Sequence, residues 1–229
     1  MFVSRKAKRV IAFAFLISVL LISVLRFVSD SADDKAVFLV SPVSRFDTDS
    51  EIYTVIAIAD ESTSLKTAAV FAQICRGLGI EPTFFGGTET IKRIKDVVGE
   101  IRDFRYEFGI ICENTSGMTR SQMLKYLAQK NDDYYSVVGK HSICCYINGT
   151  NSRYASDVMA SYGQYGISYS VLAGEKGDFI RNGDIAAVKL SSETSVYDLV
   201  SLVTEAASKG LKAVPMKEYI LEYESLSES

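Results

Sequence analysis

Between residues 51 and 215, short apolar runs alternate with stretches of helical periodicity, and this alternation limits the folds open to the chain. Tyr53 to Ala59 (YTVIAIA) reads as a strand covered on both faces and ends at Asp60-Glu61. Ala68, Phe71, Ala72, Cys75 and Leu78 then keep helical spacing up to Gly77 and Gly79. Pro82 to Phe85, Glu107 to Cys112 and Ser142 to Ile147 read as the next strands. Ile167 to Leu172, Asp184 to Leu190 and Leu211 to Pro215 follow, making seven in all. Between them lie helices on Ile91, Ile94, Val98 and Ile101, after the capping box Thr119-x-x-Gln122, on Tyr154, Val158, Tyr162 and Tyr165, and on Val196, Leu199, Val200 and Val203. Strands alternating with helices at this rate make a parallel sheet with helices outside it, an α/β fold.

The N-terminus is of another kind. Arg5, Lys6, Lys8 and Arg9 precede Val10 to Val28, nineteen residues interrupted by the single charge of Arg26. As a helix these residues extend roughly 28 Å, the thickness of a bilayer core. The expected organisation is a basic cytoplasmic tail (1–9), a transmembrane signal anchor (10–28), a linker (29–41), a folded domain (42–222) and a C-terminal tail (223–229). An uncleaved anchor is favoured over a cleaved signal peptide, because Ser29 and Ser31 make a weak small-x-small site. The expected location is therefore the cell membrane, single-pass, with the domain outside. The net charge of -3 gives no reason to expect a nucleic-acid partner. Four cysteines are too few for a disulfide scaffold, and the one histidine, His141, excludes any mechanism needing two.

In parallel α/β folds the ligand site lies beyond the C-terminal ends of the strands. Here those ends carry Asp60, Glu61, Cys112, Cys145, Asn148 and Lys189. Asp60 and Glu61 read either as an acid/base or ligand-binding pair, or as a solvated loop and a cap for the following helix. Cys112, Cys144 and Cys145 read as a disulfide, as a thiolate metal site, or as small buried hydrophobes. Lys189 is an anion contact or a surface lysine, and His141 is a solvated loop residue. Seven of the thirteen tyrosines fall between Tyr134 and Tyr169, a density that suits stacking on sugar rings. Packing is favoured for Tyr154, Tyr162 and Tyr165, while Tyr134, Tyr135 and Tyr146 stay open to either role.

Several of these segments carry a resemblance. Pro42 to Ala59 (PVSRFDTDSEIYTVIAIA), Gly79 to Gly86 (GIEPTFFG), Glu107 to Thr115 (EFGIICENT), Asn148-Gly149, Gly183 to Lys189 (GDIAAVK) and Lys209 to Pro215 (KGLKAVP) resemble, in order and spacing, the polysaccharide deacetylases of the NodB-homology family, in particular their exported, spore-associated type. The resemblance spans residues 42 to about 221 and implies a distorted seven-stranded (β/α) barrel. It also implies a divalent metal held by one aspartate and two histidines, a second aspartate as base and a late histidine as acid. Carried over by position, the base falls on Asp60 and the ligand aspartate on Glu61. The ligand histidines fall on Ile111 and Thr115, the arginine of the third motif on Cys145, and the late histidine on Lys189. Isoleucine has no lone pair to offer a metal, so the expectation is no metal and no cofactor, with Asp60 and Glu61 as residual catalytic positions. Cys112, Cys145, Asn148 and Lys189 remain ligand-binding candidates. The expected function is an inactive, membrane-anchored deacetylase-like module that binds cell-wall glycan or organises an envelope protein. The alternatives are an active deacetylase with a rebuilt site, acting on peptidoglycan or chitin oligomers, and a purely structural interaction module.

Overall fold

A computed structural model describes residues 42–149, 152–175, 179–191 and 194–227. The expected basic tail, anchor and linker (1–41) lie outside the described residues. Among the described residues no helix is long and apolar enough to cross a membrane.

These residues form eight strands: β1 (Ile52–Ile58), β2 (Thr83–Gly86), β3 (Glu107–Glu113), β4 (Cys144–Asn148), β5 (Tyr165–Ile167), β6 (Val171–Leu172), β7 (Ile185–Lys189) and β8 (Lys212–Ala213). They also form six helices: α1 (Leu65–Leu78), α2 (Thr88–Gly99), α3 (Arg120–Val138), α4 (Ala155–Ser161), α5 (Ser195–Ser208) and α6 (Met216–Ser227). Seven strands lie in the order β5-β4-β3-β2-β1-β7-β6, and β8 pairs with the start of β1. Every strand pairing is parallel. The sheet curls into an α/β barrel that is open between β5 and β6.

Side-chain alternation along the strands separates two cores. Val55, Ala57, Phe84, Phe108, Ile110, Cys112, Cys145, Ile147 and Val188 face outward, against Phe71 of α1, Ile94 of α2, Leu127 of α3, Met159 of α4 and Leu199 of α5. Ile56, Phe85, Ile111, Cys144, Tyr146, Ile167, Ile185 and Ala187 face inward. Gly109 belongs to the inward row because a Cβ there would lie 2.1 Å from the Phe85 ring, which fills that space. The capping box read at Thr119 forms: its Oγ1 accepts from Gln122 N, and Gln122 Oε1 accepts from Thr119 N at 2.8 Å.

Three expectations change. The single strand read at Ile167–Leu172 is two, β5 and β6, on opposite edges of the sheet. The chain crosses at Ser168 to Ser170: Ser168 N donates to Val43 O at 2.9 Å, whereas Ser170 N donates to Ile185 O at 3.0 Å. Tyr165 lies in β5 rather than on a helix, and Tyr162 just past α4 is 42% exposed rather than packed. The boundary expected at residue 222 falls inside a helix: α6 runs from Met216 to Ser227, and its Met216, Tyr219 and Ile220 enter the inner core. Tyr219 Oη donates to Gly183 O at 2.8 Å, which places α6 at the N-terminal ends of the strands. The open seam is laced by residues 43–46. Val43 N donates to Gly166 O at 2.8 Å, Ile185 N to Ser44 O at 3.1 Å, and Phe46 N to Gly183 O at 3.1 Å.

Candidate functional site

At the C-terminal ends of the strands lies an open cleft of about 1040 Å³ that extends toward α2 and α3. Asp60 and Glu61 follow β1 into it, and Lys189, in register with Ile58, reaches it from β7. Asn148 enters from β4 and is joined by Ile111 and Glu113 of β3. The wall beside them carries Tyr146 and Tyr169, whose rings are stacked at 6.2 Å with planes 19° apart. Four of the six residues singled out in the sequence therefore converge: Asp60, Glu61, Asn148 and Lys189.

The Asp60 carboxylate serves its own loop. Oδ1 accepts from Ser62 N at 2.8 Å and from Ser62 Oγ at 2.6 Å, while Asp60 N donates to Thr63 Oγ1 at 3.0 Å. The Ser62 hydroxyl bond is the main reason its carboxyl is held below the usual carboxylate range. Arg93 of α2 fixes the same loop by donating to Glu61 O at 3.3 Å and Thr63 O at 2.9 Å. The cap of α1 is Ser64, which accepts from Thr67 N, so Asp60 shapes a turn rather than capping the helix.

Cys112 and Cys145 do not reach the cleft. Both are wholly buried in the outer core, on the opposite face of the sheet from Ile111 and Tyr146. In register, Cys145 lies beside Ile110 and Cys112 beside Ile147, so the two thiols are diagonal neighbours. Cys145 Sγ donates to Gln164 Oε1 at 3.4 Å, and Gln164 Nε2 donates to Asn131 Oδ1 at 2.8 Å and to Ser142 O at 3.0 Å. This buried network ties α3 to the edge of the sheet. The hydrogen bond with Cys112, followed by burial, pushes the Cys145 thiol up, and burial does the same for Cys75 and Cys144. All four cysteines are free and buried. Thiolates are the reactive species, so the native protein is expected to resist iodoacetamide at neutral pH and to take up four labels in denaturant. Mass spectrometry reads both states, and fast labelling of the native protein would contradict this placement.

The metal centre implied by the resemblance does not fit these residues. Ile111, onto which the resemblance carries one ligand histidine, offers no donor atom. Thr115 is 1% exposed, and its Oγ1 accepts from Ser152 N at 3.1 Å. Among the described residues no group of three or more His, Cys, Asp or Glu side chains could hold a metal ion. His141 lies away from the cleft, with its ring 4.9 Å from that of Tyr135. Sequence reasoning missed Glu113, whose Oε1 accepts from Asn148 Nδ2 at 3.4 Å, and did not separate Tyr169 from its neighbours. Glu113 shares the inward parity of Ile111 on β3, and that was its available signal.

No family model matches the sequence, and no curated protein matches it. Among solved structures the chain is similar to a CE4 family pseudoenzyme from Bacillus anthracis, at 14% identity and a TM-score of 0.65, covering 78% of this chain and 68% of that one. A mutant of that pseudoenzyme has restored enzymatic activity. The chain is also similar to a family 4 carbohydrate esterase from Bacillus anthracis, at 15% identity and a TM-score of 0.62, covering 78% and 86% of the two chains. A third similar structure is a peptidoglycan N-acetylglucosamine deacetylase, at 12% identity and a TM-score of 0.63, covering 77% and 90%. The chain thus has the fold of the family 4 carbohydrate esterases, the fold that its resemblance to polysaccharide deacetylases implied.

Proposed function

We propose that this chain is a membrane-anchored, extracytoplasmic member of the deacetylase fold that binds cell-wall glycan in the cleft without hydrolysing it. The observation that carries the reading is the composition of the cleft. A stacked tyrosine pair stands on one wall, and the cleft is also lined by Ile111, onto which the resemblance carries a ligand histidine. Sugar rings present apolar C–H faces to aromatic rings and hydroxyls to polar groups. The cleft supplies both, since Ser62, Asn148, Lys189 and Ser191 line it together with the rings. Burial, the neighbouring Tyr169 and Glu113 push the Tyr146 phenol up to about 12, so it stays a neutral donor at any physiological pH. Hydrolysis would need a water activated by a metal or by a base of suitable pKa. Among the described residues the donor set for the metal is missing, and Asp60 is held in its ionised form as a hydrogen-bond acceptor for its own turn. The anchor rests on the sequence alone, on the apolar run Val10 to Val28 behind four basic residues.

The test uses the purified full-length protein with chitin oligomers and peptidoglycan fragments. Binding is expected, together with acetate release no faster than from buffer, whether or not zinc, cobalt or manganese is added. Metal-dependent acetate release that disappears in Asp60→Ala would replace this reading with that of an active deacetylase. Absence of any glycan binding would leave a structural module.

A further inference from the structure

We propose that the inner floor of the barrel, outside the cleft, holds an ordered water shared by Thr54, Thr83 and Glu107. Thr54 Oγ1, Thr83 Oγ1 and Glu107 Oε2 are buried and have no hydrogen-bond partner among the described residues. They sit on three consecutive strands, β1, β2 and β3. Thr83 is in register with Glu107 on one side and with Ile56, two residues past Thr54, on the other. All three share the inward face, because Ile56, Phe85 and Ile111 of the same alternating rows lie in the inner core. Neighbouring strands are about 4.8 Å apart, so one small polar guest beside Thr83 can reach both flanking strands.

The chemistry selects water. Hydroxyls both donate and accept, and a carboxylate oxygen accepts, so a molecule with two donors and two acceptors satisfies all three groups at once. One carboxylate and two hydroxyls are too few oxygens for calcium and include no nitrogen or sulfur for zinc. The Phe85 ring, seated on Gly109 in the next inward layer, separates this floor from the cleft. On the other side, Met216, Tyr219 and Ile220 of α6 close the N-terminal end of the barrel. The water is therefore a structural part and needs no glycan.

Thr→Val substitutions give opposite signs for a wet and a dry floor, since valine keeps the shape and removes the hydroxyl. If the hydroxyls are bare, Thr83→Val relieves an unsatisfied group and raises Tm. If they hold a water, each substitution takes one of its partners and leaves the Glu107 oxygen worse served. The full-length protein is then expected to lose about 2–4 °C of Tm in Thr54→Val and again in Thr83→Val. The double variant should lose less than the sum, because the two residues share one partner. A higher Tm in either single variant overturns the proposal. So does a wild-type Tm that rises with sodium, potassium or calcium while that of Glu107→Gln does not, which would put a cation in the floor.

Discussion

Replacing Gly183 with alanine is expected to destabilise the domain by about 3–5 kcal/mol and to lower Tm by about 10 °C. Three costs combine at this position. Gly183 has φ +70°, where an L side chain costs about 1–2 kcal/mol. A Cβ would stand 1.9 Å from Phe46 O, a backbone atom that no rotamer change can move. Separating the two segments would then break the bond from Phe46 N to Gly183 O and disturb the bond from Tyr219 Oη to the same oxygen. One carbonyl therefore holds both the segment that laces the seam and the helix that closes the floor. Gly163→Ala is the matched control, since Gly163 also has a positive φ, of 66°, but a Cβ there meets nothing within 4 Å. Chemical denaturation of the two variants separates the dihedral cost from the contact cost. Equal losses in both would show that the close approach to Phe46 carries no energy.

The second large effect concerns binding. Tyr169→Ala is expected to weaken glycan binding at least about tenfold, near 1.4 kcal/mol, while the fold persists. Tyr169 is half-buried in the crossing between β5 and β6, and its flanking residues are held by backbone bonds that truncation of the side chain does not touch. Its ring stacks with that of Tyr146 and is the more accessible of the two, so its removal takes away most of the aromatic surface open to a sugar. Tyr146→Ala is a poorer probe. That side chain is 4% exposed and packs on Phe85 at 5.8 Å, so its loss leaves a cavity as well as a missing contact. Tyr169→Phe should bind nearly as well as wild type, because stacking needs the ring and not the hydroxyl. Unchanged affinity in Tyr169→Ala by calorimetry would remove ring stacking from the account of the cleft.

Some of this architecture could be read from residues alone. The strands β1, β3 and β7 are dense in apolar residues because helices cover one face and the barrel interior the other, and such runs stand out in a sequence. The capping box at Thr119 is local chemistry and formed as read. What failed was long-range or depended on parity. Ile167 to Leu172 is apolar at its two ends, and nothing local says that these ends pair with opposite edges of the sheet. Met216, Tyr219, Ile220 and Tyr223 do carry helical spacing. The glutamates and serines among them mask that spacing, so the sequence reading gives residues 216–222 to the domain without a helix and sets the tail at 223, inside α6. Cys112 was placed at the site because it ends an apolar run. Adjacent residues of a strand point to opposite faces, so Ile111 and Glu113 flank the cleft while Cys112 turns toward the helices. The same parity bears on restoring the deacetylase chemistry. Position 111 already faces the cleft, whereas Thr115 is committed to Ser152, so a histidine placed there would have to give up that bond.

The lacing at residues 43–46 also bears on the order in which the molecule assembles. Its partners, Gly166 to Ser168 and Gly183 to Ile185, stand far along the chain, so each bond closes a very large loop. Loop-closure entropy makes such contacts late and slow, whereas β1 to β4 and their helices join near neighbours. Until the seam is sewn, β5 and β6 present unpaired backbone on two open edges, the surface from which intermolecular strand pairing starts. Nascent copies are thus most prone to clump during the interval between sheet formation and capture of the lead-in segment.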